Sequence, residues 1–127
     1  MTERTAKQTA GDQAESAALL HLEQAGLKLL ARNVRYSVGE LDLIMSDAGT
    51  LVFVEVRQRK NDAFGGAAAS IDWRKQRKCA RAAQCWMKQN PSLSQQPCRF
   101  DAVLFSGTSP DWQLQWLKNA FDFRDLF

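Results

Sequence analysis

The part of the chain that most constrains the fold is residues 39–60, with the sequence GELDLIMSDAGTLVFVEVRQRK. Its first half alternates between two sets of side chains, as in a strand whose successive residues face opposite sides of a sheet. The first set is Leu41, Leu43 and Met45, and the second set is Glu40, Asp42 and Ile44. The second half, Leu51 to Val56, is rich in β-branched and aromatic residues, which predicts a central strand covered on both faces.

A short hairpin is expected to join these two strands. The segment from Asp47 to Thr50 has the composition of a turn and predicts a four-residue loop. The register set by such a loop pairs Ser46 with Leu51, Ile44 with Phe53, Asp42 with Glu55, and Glu40 with Arg57. Two acidic residues therefore lie directly opposite each other in the predicted sheet.

The opposed acids, Asp42 and Glu55, predict a cation site. Two facing carboxylates repel, and beside a buried strand both also lose hydration, so the pair is unfavourable without compensation. Carboxylate oxygens with a nearby backbone carbonyl suit a hard divalent ion such as Mg²⁺ or Mn²⁺. As alternatives, Asp42 could belong to the approach to the turn, and Glu40 and Arg57 could form a simple cross-strand ion pair.

Length and composition indicate one cytoplasmic domain. With 127 residues the chain can bury a core, and we expect a flexible N-terminus at residues 1–9 and a single domain at residues 10–127. The three cysteines form no CxxC pair and His21 is the single histidine, which argues against a disulfide framework and a zinc site. We expect no signal peptide and no membrane-spanning run.

The rest of the chain predicts two helices and three further strands. One helix runs from Gly11 or Asp12 to Ala25 with Gly26 as its C-terminal cap, and another follows Asp72 and ends near Gln89. The predicted strands are Leu27 to Arg35, which has a weak pattern, Cys98 to Phe105, and a half-exposed edge strand with Trp112, Leu114 and Trp116. The order α-β-β-β-α-β-β predicts an α/β domain with a mixed central sheet flanked by helices.

Each predicted helix has one charged residue on its apolar face. Glu15 lies at helical spacing from Ala18, Leu19 and Leu22. It could be a solvated first-turn glutamate that favours the helix dipole, or an acid that points at the same cation as the hairpin acids. Lys75 has the corresponding place at the head of a second stripe, which comprises Cys79, Ala82, Ala83 and Trp86.

The net charge is only +3, but the positive residues are clustered, which favours an anionic partner such as nucleic acid. The cluster comprises Arg57, Arg59, Lys60, Arg74, Lys75, Arg77, Lys78 and Arg81. The alternative is a solvated surface without a partner. Residues 61–69 predict a mobile loop, which could order over a substrate or serve as a plain connection. The tryptophans of the last strand share one face, so we expect them in the core.

Four segments resemble the YraN-like family of small bacterial proteins: GELDLI, LVFVEVRQR, RKQR from Arg74 to Arg77, and RFDAV from Arg99 to Val103. The resemblance extends from about Gly11 to Phe121. It implies a restriction-endonuclease-like core of the PD-(D/E)xK type, distantly similar to archaeal Holliday junction resolvases. It also implies roles for individual residues, namely the signature aspartate (Asp42), the second acid (Glu55), the usual lysine position (Arg57), the helix-one glutamate (Glu15) and the helix-two lysine (Lys75).

Together these features predict a nuclease that hydrolyses phosphodiester bonds with Mg²⁺ or Mn²⁺. Arg57 departs from the lysine of the signature and would bind the scissile phosphate, because a guanidinium group does not readily release its proton. Lys75 would orient or deprotonate the attacking water. The metal ligands would be Asp42, Glu55, the carbonyl of Val56, and Glu15 or Glu40. DNA is favoured over RNA, branched DNA is one candidate substrate, and an enzyme of that kind would act as a homodimer.

Two other classes of function fit the same residues. The chain could be a nucleic-acid-binding module with weak or lost catalysis, as arginine at position 57 would permit. It could also be an interaction protein that has merely inherited its acidic pair. Arg99 and Asp101, two residues apart on a predicted strand, could form no more than an intrastrand salt link.

Overall fold

A five-stranded mixed sheet with one helix on each face forms the domain. The computed structural model describes residues 6–60 and 71–122. The elements are α1 (Ala6–Gln24), β1 (Lys28–Tyr36), β2 (Gly39–Asp47), β3 (Thr50–Arg59), α2 (Trp73–Gln89), β4 (Cys98–Ser106) and β5 (Gln113–Phe121). The strands lie in sequence order, and only the β3/β4 pair is parallel. The predicted α/β class and element order are confirmed.

The central strand β3 divides the core into two layers. Val52, Val54 and Val56 pack in a cluster with residues of α1, whereas Leu51 and Phe53 pack in a cluster with residues of α2. Every residue from Leu51 to Val56 is buried, as predicted for a strand covered on both faces. An ionisable group in this strand is therefore shielded from water by a helix.

The hairpin between β2 and β3 has the predicted register but a tighter turn. Ser46 pairs with Leu51 and Ile44 with Phe53, as expected, and the ladder continues to a closing pair of Asp47 and Thr50. The predicted four-residue loop is wrong, since only residues 48 and 49 lie outside the ladder. Both have positive φ angles, 48° and 91°, and a two-residue turn with this backbone matches the twist of the flanking strands.

Strands β2 and β3 separate before the predicted acid pair is reached. Their ladder begins with the pair of Leu43 and Val54 and includes neither Asp42 nor Glu40. The predicted placement of Leu41 on the same side as Leu43 is also wrong, because Leu41 packs beneath α2 and Leu43 beneath α1. A physical reason lies in β1. Asn33 lies between Arg32 and Val34, which pair with the two leucines. Its left-handed φ of 54° breaks the alternation.

The first helix is longer than expected and the first strand is irregular. Helix α1 begins at Ala6, before the predicted start at Gly11 or Asp12, and Gly26 ends it with a φ of 98° and an N–H that donates to the Glu23 carbonyl, as predicted for a cap. The β1/β2 register shifts between Leu29 and Ala31, which explains the weak sequence pattern of this strand.

Helix α2 matches the prediction closely. The Asp72 side chain accepts a hydrogen bond of 2.9 Å from the Lys75 amide, so it caps the helix start. The predicted apolar stripe is buried, together with Ala80. A Cβ atom at Gly39 would lie 2.3 Å from the Lys78 carbonyl oxygen, so the lack of a side chain there lets β2 approach the helix.

The C-terminal strands complete both layers. Trp112, Leu114 and Trp116 pack against the α1-side cluster, which confirms their predicted place in the core. Phe121 belongs to β5 and stacks on Phe100 at 4.6 Å between ring centroids. None of the helices in the described ranges is both long and apolar enough to cross a membrane. The loop predicted at residues 61–69 and the end of the chain at 123–127 lie outside the described residues.

Candidate metal centre on the central strand

Glu55 is a buried acid on the α2 side of β3. Only 1% of its surface is exposed, and Arg57 Nη2 lies 2.9 Å from its Oε2. Within the described part of the chain, no group donates a well-aligned hydrogen bond to either carboxyl oxygen. A buried carboxylate in this condition is costly, because it has lost water without a full set of replacement partners.

The surroundings of Glu55 favour its neutral form. The pKa of its carboxyl group is raised from 4.5 to about 8, chiefly by burial and then by the negative charge of Asp42. The positive charges of Arg57 and Lys75 and a contact from the Cys79 thiol act in the opposite direction and lower it. An additional cation would shift this balance toward the carboxylate.

Asp42 reaches the same place from the end of β2. Its Oδ2 accepts a hydrogen bond of 2.8 Å from the amide of Val56, in the region where β2 no longer pairs with β3. The side-chain oxygen thus takes the place of a ladder carbonyl. This bond fixes one acid beside the strand that carries the other.

The guanidinium group of Arg57 lies among three oxygens. Nη2 is 2.9 Å from Glu55 Oε2, and Nη1 is 2.8 Å from the Val56 carbonyl oxygen and 3.6 Å from Asp42 Oδ2. Only 18% of the Arg57 side chain is exposed. These oxygens belong to the two acids and the carbonyl predicted to hold the metal, so the structure brings that predicted ligand set together around one positive group.

Lys75 and Glu40 border this centre. Lys75 Nζ lies 3.9 Å from Glu40 Oε1, and Arg35 Nε lies 3.7 Å from Glu40 Oε2. The predicted alternative of a Glu40 pair with Arg57 is therefore replaced by contacts with β1 and α2. A pocket of about 210 Å³, lined in part by Glu40, Lys75 and Lys78, opens between the β1–β2 turn and α2.

Glu15 has a different partner from the one predicted. It is 8% exposed, and its Oε1 accepts a bond of 2.7 Å from Arg32 Nε, while Arg32 Nη2 donates to Ser16 Oγ at 3.0 Å. The interpretation as a solvated first-turn residue is wrong, since Glu15 lies in the middle of α1 and is buried. Among the described residues, no group of three or more acids, histidines or cysteines is arranged to hold a metal. Glu15 and Glu40 as further ligands stay predictions.

The predicted nucleic-acid contacts differ in exposure. Arg77 is partly buried and its guanidinium lies 5.3 Å from the centre of the Trp73 ring, which is itself on an exposed residue. The remaining residues of the predicted set are exposed, namely Arg59, Lys60, Arg74, Lys78 and Arg81. They are free to meet an anionic partner, whereas the charge of Arg77 is held against an aromatic side chain.

Sequence reasoning missed one member of the centre. Cys79, assigned only to the apolar stripe, contacts the Glu55 carboxyl group. The sequence signal for it was its position four residues after Lys75 on the same face of α2, since residues at that spacing are neighbours on a helix. Burial raises the pKa of the Cys79 thiol, and the nearby Glu55 charge adds to this effect, so the thiol stays protonated.

The donor set fits a divalent ion. Two carboxylates and a backbone carbonyl are hard oxygen ligands, and Mg²⁺ commonly binds through one or two carboxylates while keeping several waters. The buried Glu55 oxygens without good hydrogen bonds are the observation that supports this fit. Asp42, Glu55 and Val56 would hold the ion.

Comparison with known proteins gives a consistent family assignment. A model of the uncharacterised protein family UPF0102 matches residues 14–105. A UPF0102 protein of Xanthomonas axonopodis pv. citri is 53% identical over 116 residues, covering 91% of this chain and 93% of its own. A UPF0102 protein of Pseudomonas entomophila is 54% identical over 114 residues, covering 89% and 93%. The chain therefore belongs to the UPF0102 family, the YraN-like family that its motifs indicated.

Proposed function

We propose that this protein is a metal-dependent nuclease that hydrolyses phosphodiester bonds in nucleic acid with Mg²⁺ or Mn²⁺. The observation that carries the proposal is the convergence of Asp42, Glu55 and the Val56 carbonyl on one position already taken by a positive group. The names of the relatives state a family and no activity, so the proposal rests on the chemistry of the site.

Each residue of the centre has a role in this proposal. Asp42, Glu55 and the Val56 carbonyl hold the ion, which when bound makes water a better nucleophile and offsets charge on the phosphate. Arg57 binds the phosphate, because its forked N–H groups match the spacing of two oxygen atoms. Lys75, on the α2 side of the centre, orients the attacking water or accepts its proton.

The proposal extends to the substrate and the cellular setting. The exposed basic residues at the end of β3 and on α2 would bind the phosphate backbone, which positions a nucleic acid without reading its sequence. We favour DNA over RNA, with branched DNA as a candidate and a homodimer as the acting species, in the cytoplasm. We further propose that the fold is of the restriction-endonuclease-like PD-(D/E)xK type, distantly similar to archaeal Holliday junction resolvases, as the family resemblance implies.

A cleavage assay tests the proposal. Labelled branched DNA, duplex, single strand and RNA are incubated with the protein in Mg²⁺, in Mn²⁺ and in a chelator. We expect cleavage that requires the metal and is abolished by Asp42→Asn and by Glu55→Gln. Glu23→Gln, at an exposed acid on α1, is the matched control and should cleave like the wild type. Equal activity of all variants would refute the mechanism.

The contacts of Arg57 favour a second candidate function, that of a nucleic-acid-binding protein of the same fold with weak or absent catalysis. Its guanidinium group already satisfies part of the charge of both acids, so the site could be structurally complete without a metal. The Lys75→Met variant distinguishes a nuclease from a protein that only binds nucleic acid. In a nuclease it should lower turnover by about 100-fold while binding is retained, because general base catalysis contributes at that scale. Binding of every substrate without cleavage by the wild type would favour the second candidate.

A further inference from the structure

We propose that Arg57 is an internal counterion that occupies the divalent-ion position when no ion is bound and must leave for the ion to bind. This inference rests on the metal-dependent function proposed above and adds a competition between one side chain and the metal. Arg57 would then set the affinity of the protein for the ion.

The contacts of the guanidinium group carry the inference. Its nitrogens lie within 2.8 to 3.6 Å of one oxygen each from Glu55, Val56 and Asp42. These are the oxygens that would face the ion, and they meet at the guanidinium group. An ion bound to the same oxygens would lie beside a positive group, so the two cannot hold the position together.

Electrostatics explain why a cation occupies this position at all. Glu55 is almost fully buried and faces Asp42, so the two acids need positive charge nearby. Arg57 supplies it from the same strand, without any ion from solution. A divalent ion would have to displace the positive charge of Arg57, so the apparent affinity of the site for the ion is lower.

The proposal also links the ion to the substrate. While Arg57 contacts the acids, its N–H groups are engaged and cannot bind a phosphate. Once an ion replaces it, the same forked donors are free to bind two oxygen atoms of a phosphodiester. Metal binding would therefore prepare the phosphate site, and the two ligands would favour each other's binding.

Arg59 offers a matched control on the same strand. Its Nη1 donates to the carbonyl of the preceding residue, Gln58, at 2.9 Å, as Arg57 does to Val56 at 2.8 Å. Arg59 is exposed, and it forms no ion pair with the acids of the described residues. Removing either guanidinium changes the net charge equally, but only Arg57 lies in the centre.

The test measures Mn²⁺ binding by titration calorimetry and electron paramagnetic resonance, without nucleic acid. We expect Arg57→Met to bind Mn²⁺ about tenfold more tightly than the wild type, a typical size for coupling between two sites. Arg59→Met should bind like the wild type, and Asp42→Asn should bind weakly or not at all. Circular dichroism establishes that each variant is folded.

Two results would contradict different claims. If the wild type binds Mn²⁺ and Arg57→Met binds it no more tightly, the counterion role is wrong and the metal-dependent function stands. If neither protein binds Mn²⁺, the metal-dependent function itself fails.

A second measurement uses the wild type, in case Arg57→Met does not fold. The side-chain Nε–H signal of Arg57 is followed by NMR during a Mg²⁺ titration, with Arg57→Lys for assignment. We expect this signal to move in step with the carboxyl signals of Asp42 and Glu55. An Arg57 signal that stays constant while the carboxyl signals reach saturation would overturn the proposal.

Discussion

Glu55 is an ionisable residue placed in the buried run of β3, where a valine would be less costly. Its neighbours Val54 and Val56 belong to the α1-side core, while its own side chain lies toward α2 with Arg57 and Cys79. A buried acid in this setting lowers the free energy of unfolding, and a nearby cation reduces that cost. At the scale of the residue, Glu55 is a destabilising acid retained among apolar neighbours in the run from Leu51 to Val56.

The pKa of Glu55 predicts a pH dependence of stability. The folded-state pKa is about 8 against 4.5 for a free carboxyl, so the folded protein binds this proton more tightly than the unfolded chain does. Stability from this group is therefore full below about pH 4.5 and declines up to about pH 8, with a slope of about 1.4 kcal/mol for each step of one in pH. We expect Glu55→Gln, which cannot ionise, to gain stability relative to the wild type between about pH 5 and about pH 8.

Urea unfolding at several pH values in the presence of a chelator checks this prediction. The quantity of interest is the difference in unfolding free energy between the two proteins at each pH, and not the absolute value at one pH. Glu23→Gln, at an exposed position, should follow the wild-type curve. A constant difference between Glu55→Gln and the wild type across this pH range would contradict the assignment.

At the scale of the element, the approach of β2 to α2 positions the centre. Gly39 lies against the backbone of Lys78, and this contact places Glu40 within 3.9 Å of Lys75. The first turn of α2 is itself held by the Asp72 cap. A backbone contact and a cap thus fix the end of α2 that faces the acids.

Replacing Gly39 should disturb this approach. The Cβ atom of Gly39→Ala would come within 2.3 Å of the Lys78 carbonyl oxygen, so strand and helix must move apart. We expect a loss of about 1 to 3 kcal/mol in unfolding free energy, as for other overpacked sites. Gly11→Ala is the control, because its Cβ meets nothing within 4 Å and alanine favours a helix. Equal stability of the two variants in urea would argue against the close approach.

The exposed basic residues of α2 predict a salt dependence. If Lys78 and Arg81 each contact a phosphate, replacing both by glutamine should reduce the slope of log K against log salt by about 1.8 for duplex DNA. Arg77 is left in place because it packs on Trp73. Replacing Lys28 on β1 and Lys118 on β5 instead removes the same charge outside α2, and should leave the slope unchanged. Fluorescence anisotropy at several salt concentrations measures the slope. Equal slopes for both double variants would show that these residues of α2 do not contact the phosphates.

At the scale of the whole molecule, the sheet separates the candidate centre from a buried polar network on its other face. The candidate metal centre lies on the α2 side, whereas Asp101 is buried on the α1 side and accepts bonds from Arg99, Trp116 and the Asn119 amide. Arg99 also contacts Asp47 at 2.8 Å, so the network joins the β2–β3 turn to β4 and β5. The predicted salt link of Arg99 with Asp101 is confirmed as part of this larger set.

Asp101→Ala should therefore affect stability without altering the centre. We expect a loss of about 3 kcal/mol or more, because Arg99 loses one of its two acidic partners and the N–H groups of Trp116 and Asn119 lose their acceptor. Asp47→Ala removes a more exposed partner of the same arginine and should cost about 1 kcal/mol. Urea unfolding measures both losses, and Mn²⁺ binding should be unchanged in each. A smaller loss for Asp101→Ala than for Asp47→Ala would contradict this view.

Some features could be predicted from the sequence because local patterns determine them. The hairpin register follows from its alternation and turn, and the limits of α2 follow from the Asp72 cap and a regular apolar stripe. The proximity of Asp42 to the strand that carries Glu55 was accessible for the same reason, because the register runs β2 alongside β3 as far as the pair of Leu43 and Val54.

Other features depend on long-range geometry that leaves no local pattern. The partner of Glu15 is Arg32, on a strand whose bulge and left-handed Asn33 disrupt the expected alternation. The separation of β2 from β3 was equally hidden, because a side-chain carboxylate replaces a backbone partner there. Such exchanges become visible only when the packing of the whole sheet is known.

That replacement makes the Val56 amide a probe of how often the centre opens. Its proton is held by the Asp42 side chain, and not by a neighbouring strand, so rotation of one side chain can expose it to solvent. The amide of Val54, which belongs to the β2/β3 ladder, requires the strands to part. We expect Val56 to exchange with deuterium faster than Val54 by NMR, and equal rates would show that the centre opens only with the sheet. Hydrogen exchange at one amide would then report how often the site opens in the absence of any ligand.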